Sequence, residues 1–228
     1  FGGIIMNFKN NFEPKSLSKQ VVDYIKEEIF MENYTGGDRI PETKIANELN
    51  ISRAPVREAF KELENMGFVE IISRKGTFVV DFKENEVQEL YEIRVILEEK
   101  IFKKLIENNI LTEDDFEYLE ELIEDMVEIA KSDKNENEKV FEVNKLDMKF
   151  HRYLWCKSES KWTIKILTTL YNQLQLAMIL DAKKEENLVK ASLKHKKIIA
   201  NLKNDDLEGT KNAVIEHIKT LSKKVDDE

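Results

Sequence analysis

The chain is short of everything that punctuates or cross-links a fold. Across 228 residues it holds one cysteine, three prolines and seven glycines. A single thiol, Cys156, excludes an internal disulfide framework and any cysteine-rich zinc module. Average usage is about 7% glycine and 5% proline, so their scarcity points to long uninterrupted helices. No apolar run approaches the ~18–20 residues of a membrane span. Nor is there an excess of positive charge: the net charge is −9, with nine Lys/Arg against eleven Asp/Glu over residues 16–80 and 25 against 33 from residue 81 onward. Any nucleic-acid contact must therefore rest on a local cluster rather than on a basic domain. What remains is ample. With 41% hydrophobic and 36% charged residues, the chain can fill one large core or two smaller ones and is too apolar for wholesale disorder. Residues 1–10 read as a tag remnant and disordered N-terminus, and the rest as a cytoplasmic protein with no membrane partner.

Two regions with different grammar follow. Up to residue 80 the elements are short. Ser16 caps a helix carrying Leu17, Val21, Val22, Ile25 and Ile29 at helical spacing. Gly36-Gly37 breaks it, Pro41-Glu42-Thr43 opens a second short helix, and Ser52 starts a third with Pro55 in its first turn, where a missing N–H costs nothing. Gly67 stops that helix. Phe68–Ile72 and Thr77–Val80 read as strands joined through Ser73-Arg74-Lys75-Gly76. Three helices and a hairpin outline a winged helix-turn-helix over residues 11–80. From residue 81 the pattern is six long amphipathic helices, at about 84–108, 113–132, 136–157, 161–181, 185–203 and 206–224, with Thr112 and Asp115 as a capping box for the second. The fold class is mainly α, an N-terminal winged helix-turn-helix plus a C-terminal helical bundle. Trp155 and Trp162 flank one helix–helix turn and are expected to pack there.

Two constellations carry chemistry. At the start of the third helix, Arg53 and Arg57 lie four residues apart on one face behind Ser52, Ala54 and Pro55. A helix N-terminus bonds phosphate through its amides, and arginine reads guanine bidentately. Lys44 and the hairpin tip, Arg74 and Lys75, add flanking contacts on the same reading. The bland alternative is a solvated face whose cations are offset by Glu58, Glu62 and Glu64. The second constellation uses the only three histidines, His151, His195 and His217. Asp147 and His151 are i and i+4 on one helix, while His195 and His217 sit on the last two helices, which short connection makes antiparallel neighbours. One carboxylate and three imidazoles suit Zn²⁺ or another late first-row ion and leave positions open for water or ligand. A half-buried helix histidine remains the alternative for His217. A metalloenzyme is the other class this set permits, but no general base stands beside it.

A resemblance sharpens both. The run Gly36…Arg39-Ile40-Pro41-Glu42…Ile45-Ala46…Leu49-Asn50-Ile51-Ser52-Arg53-Ala54-Pro55-Val56-Arg57-Glu58-Ala59-Phe60…Gly67-Phe68-Val69…Gly76-Thr77-Phe78-Val79 resembles the DNA-binding domain of GntR-family bacterial regulators, with Asn50 standing where a glycine is usual. Glu92-Ile93-Arg94…Leu97-Glu98, Asp147…His151, His195 and His217-Ile218 resemble the FCD domain of the FadR type, closest in helix count to its six-helix VanR-like branch. The resemblance implies a homodimer on a pseudo-palindromic operator, more often a repressor than an activator. It also implies a divalent ion (zinc, with nickel or manganese as alternatives) at Asp147, His151, His195 and His217, holding a small carboxylate effector. Here the chain departs from the family: Ser160 replaces an asparagine, and no arginine follows Arg152. Arg94, Arg152 or a pocket lysine would have to meet the carboxylate, with Asn172 as a hydrogen-bonding neighbour. A purely structural metal, with no small-molecule effector, is the competing reading.

Overall fold

A computed structural model describes residues 16–183 and 187–222; the expected tag remnant lies outside the described residues. The first helix, α1 (Leu17–Phe30), begins where the Ser16 hydroxyl accepts from the Lys19 amide at 3.3 Å. It packs on α3 (Arg53–Asn65) through Val21, Val22, Ile25 and Ile29, all buried. Between them runs α2 (Glu42–Glu48), which closes on Asn50 at φ +51°. There the Ile51 amide donates to the Ala46 carbonyl at 2.9 Å and the Asn50 amide to Asn47. Asparagine tolerates this left-handed conformation better than most side chains, so it performs the turn that a glycine performs elsewhere.

The wing is an antiparallel sheet in the order β1 (Arg39–Ile40), β3 (Gly76–Val79), β2 (Val69–Ile72). The two-residue β1 pairs Arg39 with Phe78 and Ile40 with Thr77; it is too short to show any period and the sequence reading has no strand there. The hairpin turn is one residue tighter than expected, with Arg74 at φ +63° and Gly76 at φ +122°.

The remaining helices are α4 (Glu84–Glu107), α5 (Glu113–Lys131), α6 (Glu136–Lys157), α7 (Lys161–Lys183), α8 (Leu188–Leu193), α9 (His195–Lys203) and α10 (Leu207–Ser222). The Thr112–Asp115 capping box forms: the Asp115 carboxylate accepts from the Thr112 amide at 2.9 Å. One expected helix, 185–203, is instead two. Around Lys194 the backbone bonds tighten to i→i−3, Lys194 to Ala191 and Lys197 to Lys194. The cause is local: the Ser192 hydroxyl donates back to the Leu188 carbonyl at 2.8 Å, a bond that bends helices, and the His195 ring takes the Ser192 carbonyl. The six-helix count of the sequence reading is corrected accordingly. Trp155 is buried and its indole N–H donates to Glu98 at 3.1 Å, but Trp162 is 69% exposed, so only one of the two tryptophans packs as expected.

The helical domain has its own core, built on residues such as Ile101, Phe102, Leu119, Phe150, Leu154 and Tyr171. The core of the winged helix does not end at the domain boundary. Val140 of α6, Leu176 and Ile179 of α7 and Leu188 of α8 belong to it. Gly67 seats this contact. At φ +73° it needs the left-handed region, and a Cβ there would lie 2.8 Å from the Gln173 Cα and 3.0 Å from the Asn172 carbonyl oxygen.

Candidate functional site

On the winged helix, the side chains expected to contact DNA are exposed, apart from Pro55 and Gly76, which are half-buried. Ser52 occupies the N-cap of α3 with extended backbone, although its hydroxyl accepts no capping bond. Arg53 and Ala54 are exposed and Pro55 is half-buried. Arg57 is 64% exposed and its Nε donates to Glu42 at 2.8 Å, which holds the guanidinium over the start of α2. Lys44 lies 4.8 Å from the Tyr34 ring centre and 3.8 Å from Glu48. At the wing, Arg74 and Lys75 are exposed. The sequence reading missed Arg39. Its guanidinium lies along Gly76, where an added Cβ would meet Nε at 2.8 Å, so the wing glycine clears room for a third cation. The signal lay in the β1–β3 pairing, which a two-residue strand does not advertise.

In the helical domain, Asp147, His151, His195 and His217 are brought together from α6, α9 and α10. All four are buried, and one donor atom of each lies within 4.8 Å of the other three. Asp147 Oδ1 is 3.0 Å from His195 Nε2 and 3.0 Å from His217 Nε2. Those contacts are not hydrogen bonds: Nε2 of His151, His195 and His217 are all buried without a hydrogen-bond partner. Two donors that share an ion at ~2.1 Å, with about a right angle between them, stand ~3.0 Å apart, so the donor set fits a divalent cation. Unpartnered buried imidazole nitrogens otherwise carry a desolvation cost of about 1–3 kcal/mol each.

The surroundings prepare these nitrogens. His195 Nδ1 lies 3.0 Å from the Ser192 carbonyl, which can only accept; that places the proton on Nδ1 and the lone pair on Nε2. His151 Nδ1 lies 3.2 Å from Glu98 Oε1, off the line of a straight hydrogen bond. Burial lowers the basicity of His151, and burial with the neighbouring His195 takes His217 down to about 3, so both rings are neutral at pH 7, the form that could hold a metal. Burial would push the Asp147 carboxyl up, yet His217 and His195 hold it well below its ordinary value; its Oδ2 also accepts from the Tyr171 hydroxyl at 3.1 Å.

The effector residues expected from sequence divide. Arg94 stands behind the centre, fully buried, with Nε donating to Glu98 at 3.2 Å and Nη1 3.8 Å from the Met178 sulfur; its Nη2 has no partner. Arg152 is exposed, one residue past His151 and turned off the ligand face, so the expected effector contact is corrected. Asn172 is corrected too: it does not line the cavity beside the cluster, and its backbone carbonyl lies against Gly67 of the winged helix. Beside Asp147, His195 and His217 opens a cavity of about 40 Å³, lined also by Asn144, Ser192, Lys194, Met126, Val143, Met178, Ala182, Leu188 and Ala191. Asn144 and Lys194 were not singled out beforehand; Asn144 lies three residues before Asp147 on the same face, the one clue the spacing offered.

Comparison with known proteins agrees with this geometry. The model of the family "Bacterial regulatory proteins, gntR family" matches residues 17–79, and that of the FCD domain matches residues 89–220. The chain belongs to the GntR family of bacterial regulators and carries an FCD domain; it is a DNA-binding transcription regulator and not an enzyme. It is 27% identical over 205 residues to an uncharacterized HTH-type transcriptional regulator, YdhC, of Bacillus subtilis, covering 90% of this chain and 89% of that one. It is 34% identical over 74 residues to the gluconate operon transcriptional repressor of Bacillus licheniformis, covering 32% of this chain and 30% of the relative. Among solved structures it is similar in fold to E. coli McbR/YncC, with a TM-score of 0.66 at 22% identity, covering 90% of this chain and 94% of that one. Among the described residues no helix is long and apolar enough to cross a membrane.

Proposed function

We propose that the chain is a cytoplasmic repressor that binds a pseudo-palindromic operator as a homodimer and releases or tightens it in response to a small carboxylate. Lys44, Arg53, Arg57, Arg74, Lys75 and Arg39 would meet the DNA, with Ser52, Ala54, Pro55 and Gly76 allowing close approach. Asp147, His151, His195 and His217 would hold a divalent ion, with zinc first and nickel or manganese as alternatives. The observation that carries this reading is the set of three buried, unpartnered imidazole nitrogens around one carboxylate beside a cavity.

Electrostatics favours an anion as the effector. Asp147, Glu98 and Arg94 are buried and together leave one net negative charge. A bound divalent ion supplies Lewis acidity and reverses that sign. Lys194, half-buried on the cavity wall, would then orient a carboxylate, while Arg94, off the wall and paired with Glu98, would act only through its charge. The cavity has room for about three or four water-sized groups at ~10–15 Å³ each, which limits the ligand to a small acid in this conformation. That small volume, and the absence of any arginine from the lining, is also what favours the second reading, a structural ion with no effector.

Metal content per chain, measured on protein purified without added metal or chelator, tests the site. About one ion in the wild type and a clear loss in His195→Ala is expected; equal content in both removes the ligand assignment. A thermal-shift screen of small mono- and dicarboxylates separates the two readings. A shift that disappears on chelation supports an effector, and no shift with metal bound supports the structural ion.

A further inference from the structure

We propose that Glu42 is a positioning residue for DNA reading: by taking Arg57 Nε it leaves the guanidinium as a fork of its Nη nitrogens and turns Arg57 from a phosphate anchor into a reader of guanine. This deepens the function proposed above and rests on Arg57 meeting the operator. The contact runs from Nε to Glu42 Oε2 at 2.8 Å, between side chains 64% and 25% exposed. Both ends stand on fixed supports. Glu42 opens α2, where the Lys44 and Ile45 amides donate to the Pro41 carbonyl at 3.0 and 3.3 Å and Ile45 is wholly buried. Arg57 leaves a turn of α3 anchored by Val56 and Ala59, also wholly buried.

A guanidinium donates along two kinds of edge, one made of Nε with an Nη and the other of both Nη nitrogens. Glu42 occupies Nε and so spends the first. The second still matches O6 and N7 of a guanine, the bidentate contact that discriminates one base from the others. The carboxylate also changes what the arginine is drawn to. A phosphate attracts through its charge, and the adjacent Glu42 charge offsets that attraction; a guanine edge is neutral and attracts through direction. With another base under the fork both Nη nitrogens lose their acceptors, and the offset charge leaves the DNA backbone a poor substitute. Discrimination rises and affinity falls.

Neither stability nor affinity accounts for the carboxylate. An exposed ion pair is worth little, and Glu42 Oε1 is buried without a hydrogen-bond partner, which is unfavourable. As for attraction to DNA, residues 16–80 carry nine Lys/Arg against eleven Asp/Glu, and an acid beside α3 weakens binding to every sequence alike. Lys44 supplies the contrast: it meets Glu48 only at 3.8 Å, within its own helix, and stays a point charge suited to a phosphate.

Fluorescence anisotropy of the full chain tests this, on duplexes that the wild type enriches from a random-core pool and on the unenriched pool. Glu42→Ala should lower the preference for enriched over random duplex by about fivefold or more, and steepen the salt dependence of random binding by about one ion per protomer as the freed guanidinium takes a phosphate. Glu42→Gln, which keeps the shape, should move both in the same direction. Glu48→Gln removes the same charge from the same helix and should leave the preference unchanged. In an Arg57→Ala background the Glu42 substitutions should have no further effect on the preference, an outcome that a local folding defect would not produce. If Arg57→Ala loses the preference while both Glu42 variants keep it, or if the Glu42 effect persists without Arg57, the positioning role is overturned and Arg57 stays on the DNA. If Arg57→Ala keeps the preference, the DNA role of Arg57 falls and the proposal with it.

Discussion

Glu98 offers the sharpest test of how the helical domain is held together. Its carboxylate is wholly buried and accepts from Arg94 Nε at 3.2 Å and Trp155 Nε1 at 3.1 Å. Burial alone would push its carboxyl up; Arg94 and then His151 bring it down to about 2. Burial likewise works against the Arg94 charge, but Glu98 outweighs it and raises the guanidinium above its ordinary value. Glu98→Ala would leave Arg94 charged, dry and without a counter-ion, in a place where one of its nitrogens already has no partner. Removing one member of a buried pair costs ~3–5 kcal/mol, whereas replacing both by apolar groups is often close to neutral. For a chain of this length each kcal/mol lowers Tm by about 2–4 °C, so Glu98→Ala should lose roughly 6–20 °C. The double variant Arg94→Met with Glu98→Leu should lose much less than the single one. Urea unfolding followed by circular dichroism on wild type, Arg94→Met, Glu98→Leu and their double variant closes the cycle. If the single substitution costs less than ~1 kcal/mol, or if the two add within ~0.5 kcal/mol, the pair is not the anchor described here.

Three further outcomes are expected. Arg57→Ala should weaken operator binding by about 10–100-fold in fluorescence anisotropy with the melting curve unchanged, since the side chain is 64% exposed; retained specific binding would take Arg57 out of the interface. Gly67→Ala should destabilise more than Gly37→Ala, although both glycines have positive φ, because a Cβ at Gly37 meets nothing within 4 Å while one at Gly67 strikes the α7 backbone. Equal losses in denaturant unfolding would mean that backbone strain, ~1–2 kcal/mol, is the whole effect. Burial would raise the Asp115 carboxyl, but Lys157, Tyr153 and Thr112 hold it below its ordinary value. A depressed carboxyl stabilises fully above its unfolded value of ~3.9 and loses that contribution as pH falls through its folded value. The gap between the urea midpoints of wild type and Asp115→Ala should therefore be full at pH 7, begin to narrow below about pH 4 and close only as pH falls through the lower folded value; a constant gap would refute the assignment.

The winged helix was legible because its signals are local. Ser16, Pro41, Asn50, Ser52 and Gly67 each fix a helix end within a few residues of themselves, and the periodic apolar positions between them left little choice of face. The Asp147, His151, His195 and His217 cluster was legible for a different reason: the chain has only three histidines, and the family resemblance, rather than their spacing, pointed to all of them together. What stayed hidden was whatever depends on a partner far along the chain. Arg94 sits within an apolar stripe, and only the packed bundle shows that it and Glu98 form a buried pair behind His151. Arg152 and Asn172 looked eligible because a helix offers every residue some direction; the neighbours of α6 and α7 decide which direction is solvent and which is the winged helix.

The break between α8 and α9 shows the same limit and has a consequence for how the two halves of the chain can communicate. Residues 185–203 have the periodicity of one helix, so no local rule stops it at Lys194. The stop comes from Ser192, whose hydroxyl bonds back to Leu188 and whose carbonyl meets the His195 ring. Leu188 is packed in the winged-helix core and also lines the cavity, together with Ser192 and His195. Two hydrogen bonds through Ser192 therefore connect a histidine of the buried cluster to Leu188, a residue of the helical domain that packs into the winged-helix core. A ligand can shift such a molecule only by binding one arrangement better than another. Any displacement of Ser192 by a molecule in the cavity is shared with Leu188 through a direct hydrogen bond, within a helix of six residues too short to absorb it by bending. The two cores are joined at the residue pair that also shapes the site, which is where a difference in ligand affinity between two seatings of the winged helix would have to arise.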